Sequence, residues 1–349
     1  GKADDDSILG TGAGDDFHLE QGGAHAGLGG GGIDVFYFGA SFGAGDQVTG
    51  GAGRDYLVLD GDYSAGVAVA FHQLRGISDI NLTDGNSYAL SGLDNVRGKL
   101  RIDGSDLSAG DSIHIDAGGK IGALRIDGGA GDDLVIGGAS LNQIAGGDGA
   151  DTLTGGDGGN TIDGGRGSDL LTGGTGSDSL AGDEGNDTLI GGVGEDSLFD
   201  SAGDNSMDGG EGDDFIGAYG GDQTMIGGQG DDHFQILGAL GPDGRIDGGA
   251  GANTLQVYGF TAAMTLDDAH VHEVQAISFA NGNFVVTTTD DLIPAGGLLT
   301  VTALSASFIF DGTAETDGRF SLTGSGGNDV MRGGDGADTI SSGGGGSDS

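Results

Sequence analysis

An acidic or amide side chain recurs at every ninth position through the middle of this 349-residue chain, and no other spacing in it points as clearly to chemistry. From Gly128 the frame reads GGAGDDLVI, GGASLNQIA, GGDGADTLT, GGDGGNTID, GGRGSDLLT, GGTGSDSLA, GDEGNDTLI, GGVGEDSLF, DSAGDNSMD, GGEGDDFIG, AYGGDQTMI and GGQGDDHFQ, twelve units running to residue 235 without insertion or deletion. Carboxylates stacked beside glycine carbonyls suit a hard cation such as calcium, which takes six to eight oxygens. The array holds 22 acidic residues and one basic residue, Arg166, so its acidity reads as ligand supply. The chain has no cysteine, which removes thiolate sites and disulfides.

The same frame dictates the elements that must hold these ligands. Glycines at positions one, two and four permit positive φ and close backbone approach, so G-G-x-G-x-D predicts a tight turn with outward carbonyls. The three residues that follow predict a short strand with one large side chain directed inward. Two nonapeptides then close a flattened coil, and coils stacked about 4.8 Å apart pair in parallel. Position eight is Val135, Ile144, Leu153, Ile162, Leu171, Leu180, Leu189, Leu198, Met207, Ile216, Met225 and Phe234, apolar in every unit. One large side chain per nine residues is a thin core against a backbone entropy of about 1–2 kcal/mol per residue. Cations bound by the turns must therefore contribute.

The pattern G-G-x-G-x-D-x-U-x, with U large and apolar, resembles the RTX (repeats-in-toxin) family, whose nonapeptide is a calcium-binding β-helix repeat. The expected fold is all-β, a parallel β-roll or β-solenoid of calcium-binding nonapeptides with interspersed duplicated β segments. Because successive nonapeptides alternate edges, a site needs ligands from units two apart, as the resemblance also implies. One edge reads Asp133, Asp151, Asp169, Asp187, Asn205, Gln223 and the other Asn142, Asn160, Asp178, Asp196, Asp214, Asp232. Strong sites are expected between 133/151, 151/169 and 169/187, and between 178/196, 196/214 and 214/232. The amide levels should bind weakly or not at all. Six Ca2+ ions would set twelve positive charges against a local charge of -21.

Further nonapeptides at 29–37, 50–58, 248–256, 324–332 and 333–341 make Asp34, Asp55, Asp329 and Asp338 additional metal ligands, provided each finds a neighbouring turn. The expected organisation is short repeats and linker over 1–58, a β spacer over 59–127, the continuous array over 128–235, a second spacer over 236–323 duplicating about 33–127, and repeats over 324–349. Alternating runs such as GVAVAF, SIHIDAG, FVVTTT and SFIFDG read as wider solenoid coils or small β-sandwich inserts. The two spacers share His-x-apolar-x-x-Ile at His72 and His272, and the glycine-free stretch 260–281 leaves room for one helical turn. Such spacers resemble those of large secreted RTX proteins, bacterial surface-layer proteins among them.

Catalytic motifs are weak beside this pattern. Gly39-Ala40-Ser41-Phe42-Gly43 matches a nucleophile elbow, but AGDQVTGGAG behind it cannot form the required helix. His270 and His272 share a strand face without a third metal ligand in view, HExxH is absent, and Gly98-Lys99 leads into Leu100 rather than a P-loop serine. Acidic pairs for glycoside hydrolysis do not stand apart from the calcium pattern, so the chain reads as a non-enzyme.

A formal charge of -43 argues against nucleic acid and anionic membranes and for cations as partners. No apolar run approaches the roughly 18 residues of a transmembrane helix. GKADDDSILG is not a secretory signal peptide; it fits a decayed nonapeptide, and the final GGGGSDS fits one stopped at its seventh position. The chain thus reads as a piece of a longer protein, with the C-terminal type I secretion signal that the resemblance implies lying out of view. The leading expectation is a calcium-dependent extracellular structural protein, a surface-layer, adhesin or filament segment that folds on Ca2+ after secretion. The alternative is the folding and secretion module of an RTX exoenzyme or toxin. Self-association into a lattice or filament and a cell-surface polysaccharide, met by exposed Tyr37, Tyr56 and Tyr63, are the further partners considered. The resemblance places the protein outside the cell or on the surface of a Gram-negative bacterium.

Overall fold

A computed structural model describes residues 7–19, 22–68, 73–93, 96, 98–120, 122–219, 221–238, 240–259, 263–304, 307–344 and 346–349. These residues contain strands and turns and no α-helix, and every strand pairing among them is parallel. The chain forms two compact units, Gly1–Glu184 and Gly185–Ser349. Each is a parallel β-solenoid.

In the first unit one sheet runs through Asp16–His18, Val35–Phe38, Asp55–Leu59, Ile77–Leu82, Leu100–Asp103, Leu124–Gly129, Asn142–Asp148, Thr161–Arg166 and Ser179–Glu184. The opposite wall runs from Tyr63–Ala68 through Tyr88–Ser91, Ile113–Asp116, Leu134–Ile136 and Thr152–Asp157 to Leu170–Thr175. A shorter ladder joins Ser7–Leu9, Ala26–Gly31, Gln47–Ala52 and Leu74–Arg75. In the second unit one sheet climbs from Ser197–Asp200 to Thr339–Ser341. Facing it are Thr188–Val193 to Val271–His272 and then Ala263–Leu266 to Val330–Arg332.

Coil length distinguishes repeats from spacers. In the array Ile144 lies opposite Ile162, two nonapeptides on; in the spacers Leu100 lies opposite Leu124 and Leu255 opposite Ile277. The spacers are therefore wider coils of the same ladders and not sandwich inserts. The helical turn allowed for in 260–281 is a single hydrogen-bonded turn, with Val271 N–H donating to Asp267 O at 2.9 Å; residues 260–262 of that stretch lie outside the described residues.

All twelve position-eight side chains are buried, none more than 2% exposed. They meet from the two walls as the single layer the nonapeptide predicts. The wider coils have room for more: Phe17 stacks on Phe36 at 4.5 Å, Phe279 lies 5.3 Å from Phe308, and Phe310 lies 5.1 Å from Phe320. Aromatic burial thus stabilises the coils outside the continuous array, where the array has only one apolar row.

The glycines divide by role. Gly147 and Gly149, at positions two and four, sit at φ 119° and 132°, which side-chain-bearing residues rarely adopt. Position one does not need that freedom. There glycine is required for space, and the atoms that fill the space define the site.

Candidate calcium sites

Position-six residues form ladders along the turn edges. The N–H of Asp133 donates to Asp151 Oδ1 and that of Asp151 to Asp169 Oδ1, both at 2.8 Å. In the second unit Asp196 N–H donates to Asp214 Oδ1 at 2.8 Å and Asp214 N–H to Asp232 Oδ1 at 2.9 Å. Each bond spans 18 residues, so neighbours on an edge are nonapeptides two apart. The isolated repeats at 29–58 follow the same rule with longer coils: Asp15 N–H donates to Asp34 Oδ1, and Asp34 N–H donates across 21 residues to Asp55 Oδ1, both at 2.9 Å. A fixed nonapeptide ruler does not reveal that partner, because the coil length changes there.

The second carboxylate oxygen is treated differently. Oδ2 of Asp34, Asp55, Asp133, Asp151, Asp214 and Asp232 is buried with no hydrogen-bond partner. A Cβ built on Gly146 would fall 2.0 Å from Asp151 Oδ2 and 2.8 Å from Gly164 O; one on Gly128 would fall 2.2 Å from Asp133 Oδ2 and 2.4 Å from Gly146 O. Gly209 and Gly227 repeat the arrangement at Asp214 and Asp232. Position-one glycine therefore keeps open a point where a carboxylate oxygen and the next coil's carbonyl converge. A buried oxygen left without a partner costs about 1–3 kcal/mol, and more when charged. These donors are hard and negatively charged, and they fit calcium. The residues that would hold it are the position-six aspartates, through Oδ2, and the position-one glycine carbonyls.

Electrostatics agree with that reading. Burial pushes the carboxyls of Asp133, Asp151 and Asp214 up to about 7 and raises those of Asp55 and Asp232. Without a cation, the buried ladder tolerates carboxylic acids better than carboxylates.

All eight expected array aspartates are at most 3% exposed. Pairs 133/151, 151/169, 196/214 and 214/232 each lie within one unit, whereas 169/187 and 178/196 draw their members from different units. Among the isolated aspartates, Asp34 and Asp55 share the open Oδ2 geometry. Asp329 does not: its Oδ2 accepts Ser325 N–H at 2.6 Å and its Oδ1 accepts Phe308 N–H at 2.8 Å. Asp338 is half-buried, with Oδ1 accepting Phe320 N–H at 2.8 Å.

The amide levels are closed from within. Asn142 Nδ2 donates to Gly138 O at 3.0 Å, Ser140 O at 2.6 Å and Gly155 O at 2.9 Å, and Asn160 Nδ2 donates to Gly158 O at 2.8 Å. A Cβ on Gly155 would fall 2.5 Å from Asn160 Nδ2, where the aspartate levels present Oδ2. An N–H donor thus occupies the place that elsewhere calls for a cation. One coil before Asn142, the fully buried Lys120 plays a similar part, its ammonium donating to Val96 O at 2.7 Å and Gly98 O at 2.9 Å, and burial lowers its pKa. Asp46 of the N-terminal linker and Asp111 of the first spacer are satisfied by turn N–H groups, those of Gly43 at 2.7 Å and Gly85 at 2.9 Å. Sequence spacing does not reveal the caps at Lys120, Asp46 and Asp111, because they lie outside the nonapeptide frame.

Other sequence expectations change. Tyr63 is buried, its hydroxyl held by Gly39 O and Phe42 N–H, and Tyr37 and Tyr56 are only half-buried, so the three do not form an exposed aromatic face. The Ser41 turn leads into the strand Gln47–Ala52 and not into a helix. His270 binds Asp267 and Pro242 O while His272 faces Asp247, so the two histidines do not act as a pair. His72 lies outside the described residues.

Fold and site together define a solenoid whose turn edges are built to be stabilised by cations. The model of the RTX calcium-binding nonapeptide repeat (4 copies) matches residues 125–153, 136–171, 154–189, 181–216 and 321–348. The two regions 125–216 and 321–348 thus carry RTX calcium-binding nonapeptide repeats. Comparison with curated proteins gives no match.

Two outcomes follow from this geometry. Replacing Asn160→Asp removes the amide donor beside Asp178 and should add one bound calcium per chain, counted by metal analysis after dialysis; unchanged stoichiometry would mean that the amide contacts do not exclude the ion. The raised carboxyls set the pH dependence. Their contribution to metal-free stability is complete below about pH 4 and is lost as pH rises through about 7. In chelator, β-structure measured by circular dichroism should therefore be greater near pH 5 than near pH 7.5. With calcium, the half-saturating concentration should rise as pH falls through that window. Equal metal-free spectra at both pH values would contradict the assignment.

Proposed function

We propose that the chain is a calcium-dependent extracellular structural segment, of the surface-layer, adhesin or filament kind, that folds on Ca2+ after secretion. The observation that supports this most is the stack of partnerless, buried carboxylate oxygens along the turn edges. In the low calcium of a cytosol these oxygens oppose folding and keep the chain in an export-competent state. Outside, at the 10⁻⁴–10⁻³ M range typical of extracellular modules, calcium binding and folding become one event. Repeats and spacers fill the chain, which favours a structural role over a catalytic one. The alternative is a folding and secretion module serving a catalytic domain elsewhere in a longer protein.

A cell-surface polysaccharide is the second partner considered, and one observation favours it. Four of the chain's 12 basic residues, Arg54, Lys99, Arg101 and Arg125, line a single cavity of about 500 Å³ in the first unit. Arg54 pairs there with Asp79, and Arg101 and Arg125 pair with Asp127, so the cluster is a partly neutralised basic patch on a chain of net charge -43, where an acidic saccharide would meet less repulsion than on the acidic turn edges. Retention of the calcium-loaded chain on an acidic glycan, weakened by Lys99→Gln with Arg125→Gln, is the expected result; equal retention on the neutral glycan would remove this partner.

Calcium titration followed jointly by light scattering and far-UV circular dichroism separates the two main readings. Large assemblies that appear together with β-structure support the structural segment. A particle that gains β-structure and stays monomeric supports the folding-module alternative.

A further inference from the structure

His272 is an imidazole set among carboxylates, apart from the oxygen-only calcium edges. It lies opposite Asp247 in the parallel pairing of Arg245–Ala250 with Val271–His272, and its Nδ1 is 3.2 Å from Asp247 Oδ1. Glu273 follows directly. In a regular strand adjacent side chains point to opposite faces, so residues 272 and 273 would not share a ligand. Glu273 breaks that rule with a left-handed φ of 52°, one of three positive-φ non-glycine residues among those described. As a result, one ligand atom from each of Asp247, His272 and Glu273 lies within 4.8 Å of the others.

The surrounding groups orient this set. Arg245 Nη2 donates to Asp247 Oδ2 at 2.7 Å, which leaves Oδ1 directed toward His272. Asp268 Oδ1 lies 3.7 Å from His272 Nε2, so the ring keeps a carboxylate partner on that nitrogen when Nδ1 exchanges its hydrogen bond with Asp247 for a metal. The Glu273 carbonyl accepts Asn253 Nδ2 at 3.1 Å and Gln275 Nε2 at 3.2 Å, fixing the left-handed residue in place. His272, Glu273 and Asp268 also line a cavity of about 300 Å³ walled by Ile277, Leu292 and Ile293.

We propose that Asp247, His272 and Glu273 hold one divalent transition-metal ion, with its remaining coordination position toward that cavity. Ligand atoms about 2.0–2.2 Å from zinc lie about 3.3–3.6 Å apart in a tetrahedron, close to the His272–Asp247 separation, and the exposed Glu273 closes the set by side-chain rotation. Calcium prefers oxygen alone, whereas imidazole selects zinc and its neighbours, so this site and the turn edges discriminate between ions.

The test uses the full chain in saturating calcium, with zinc uptake measured by calorimetry and cobalt uptake by its visible absorption. One equivalent of each should bind at micromolar concentrations. His272→Ala should weaken zinc by at least about tenfold and remove the cobalt band, with calcium stoichiometry unchanged. Glu273→Gly removes a ligand and the left-handed strain together, so zinc affinity should fall while thermal stability in calcium does not. No zinc uptake at submillimolar concentration, or wild-type uptake by either variant, overturns the proposal and leaves a His272–Asp247 ion pair.

Discussion

The structure depends on what happens to a carboxylate oxygen at the inside of a turn. Nonapeptides such as those of Asp133, Asp151 and Asp214 bring an aspartate into a space that a Cβ would fill, use one oxygen to tie the coil to the one before it, and bury the other beside a glycine carbonyl. That arrangement is unfavourable in a metal-free chain, because the buried charge has neither water nor counter-charge. A dication reverses the balance by accepting oxygens from successive coils. Glycine content, acidity and the thin core are consequences of one requirement, that the turns close around an ion.

Where the ion is not called for, the fold satisfies the same edge in other ways. Asn142 and Asn160 insert an amide N–H, Lys120 inserts an ammonium, and Asp46 and Asp111 draw on turn N–H groups. The spacer that carries Lys120 and Asp111 also has wider coils, with Tyr63 stacked on Tyr88, and the second spacer packs Phe279 against Phe308 and Phe310 against Phe320. The two solutions do not divide by coil width: Asn142 and Asn160 cap turns inside the one-row array, and Asp34 and Asp55 keep open oxygens in a 21-residue coil. Stability along the chain is therefore set coil by coil, by which donor fills the edge.

The His272 cluster shows the same backbone serving a different ion. Its ligands come from two paired spacer strands and a single left-handed residue, and not from a turn edge. A solenoid that positions side chains at the fixed spacing of paired strands can supply ligand sets for soft and hard cations on separate surfaces.

The sequence by itself determined the period, and with it the parallel coils, the identity of the inward row and the pairing of aspartates two nonapeptides apart. These are local consequences: a glycine turn, a three-residue strand and one apolar side chain repeat identically, so what holds for one unit holds for twelve. Only the tertiary structure decided what lies outside the period. It found the partner of Asp34 in Asp55, the capping of Asp329 by Ser325, the burial of Tyr63 and the meeting of Asp247 with His272. Each depends on coil length or on contact between residues more distant than the frame can register, except Ser325, whose short-range bond competes for a ligand the motif alone would assign to a metal. Periodic sequence fixes neighbours at a constant separation; where coils lengthen, from Ile144 opposite Ile162 to Leu100 opposite Leu124, the partner is set by how the assembled strands pair.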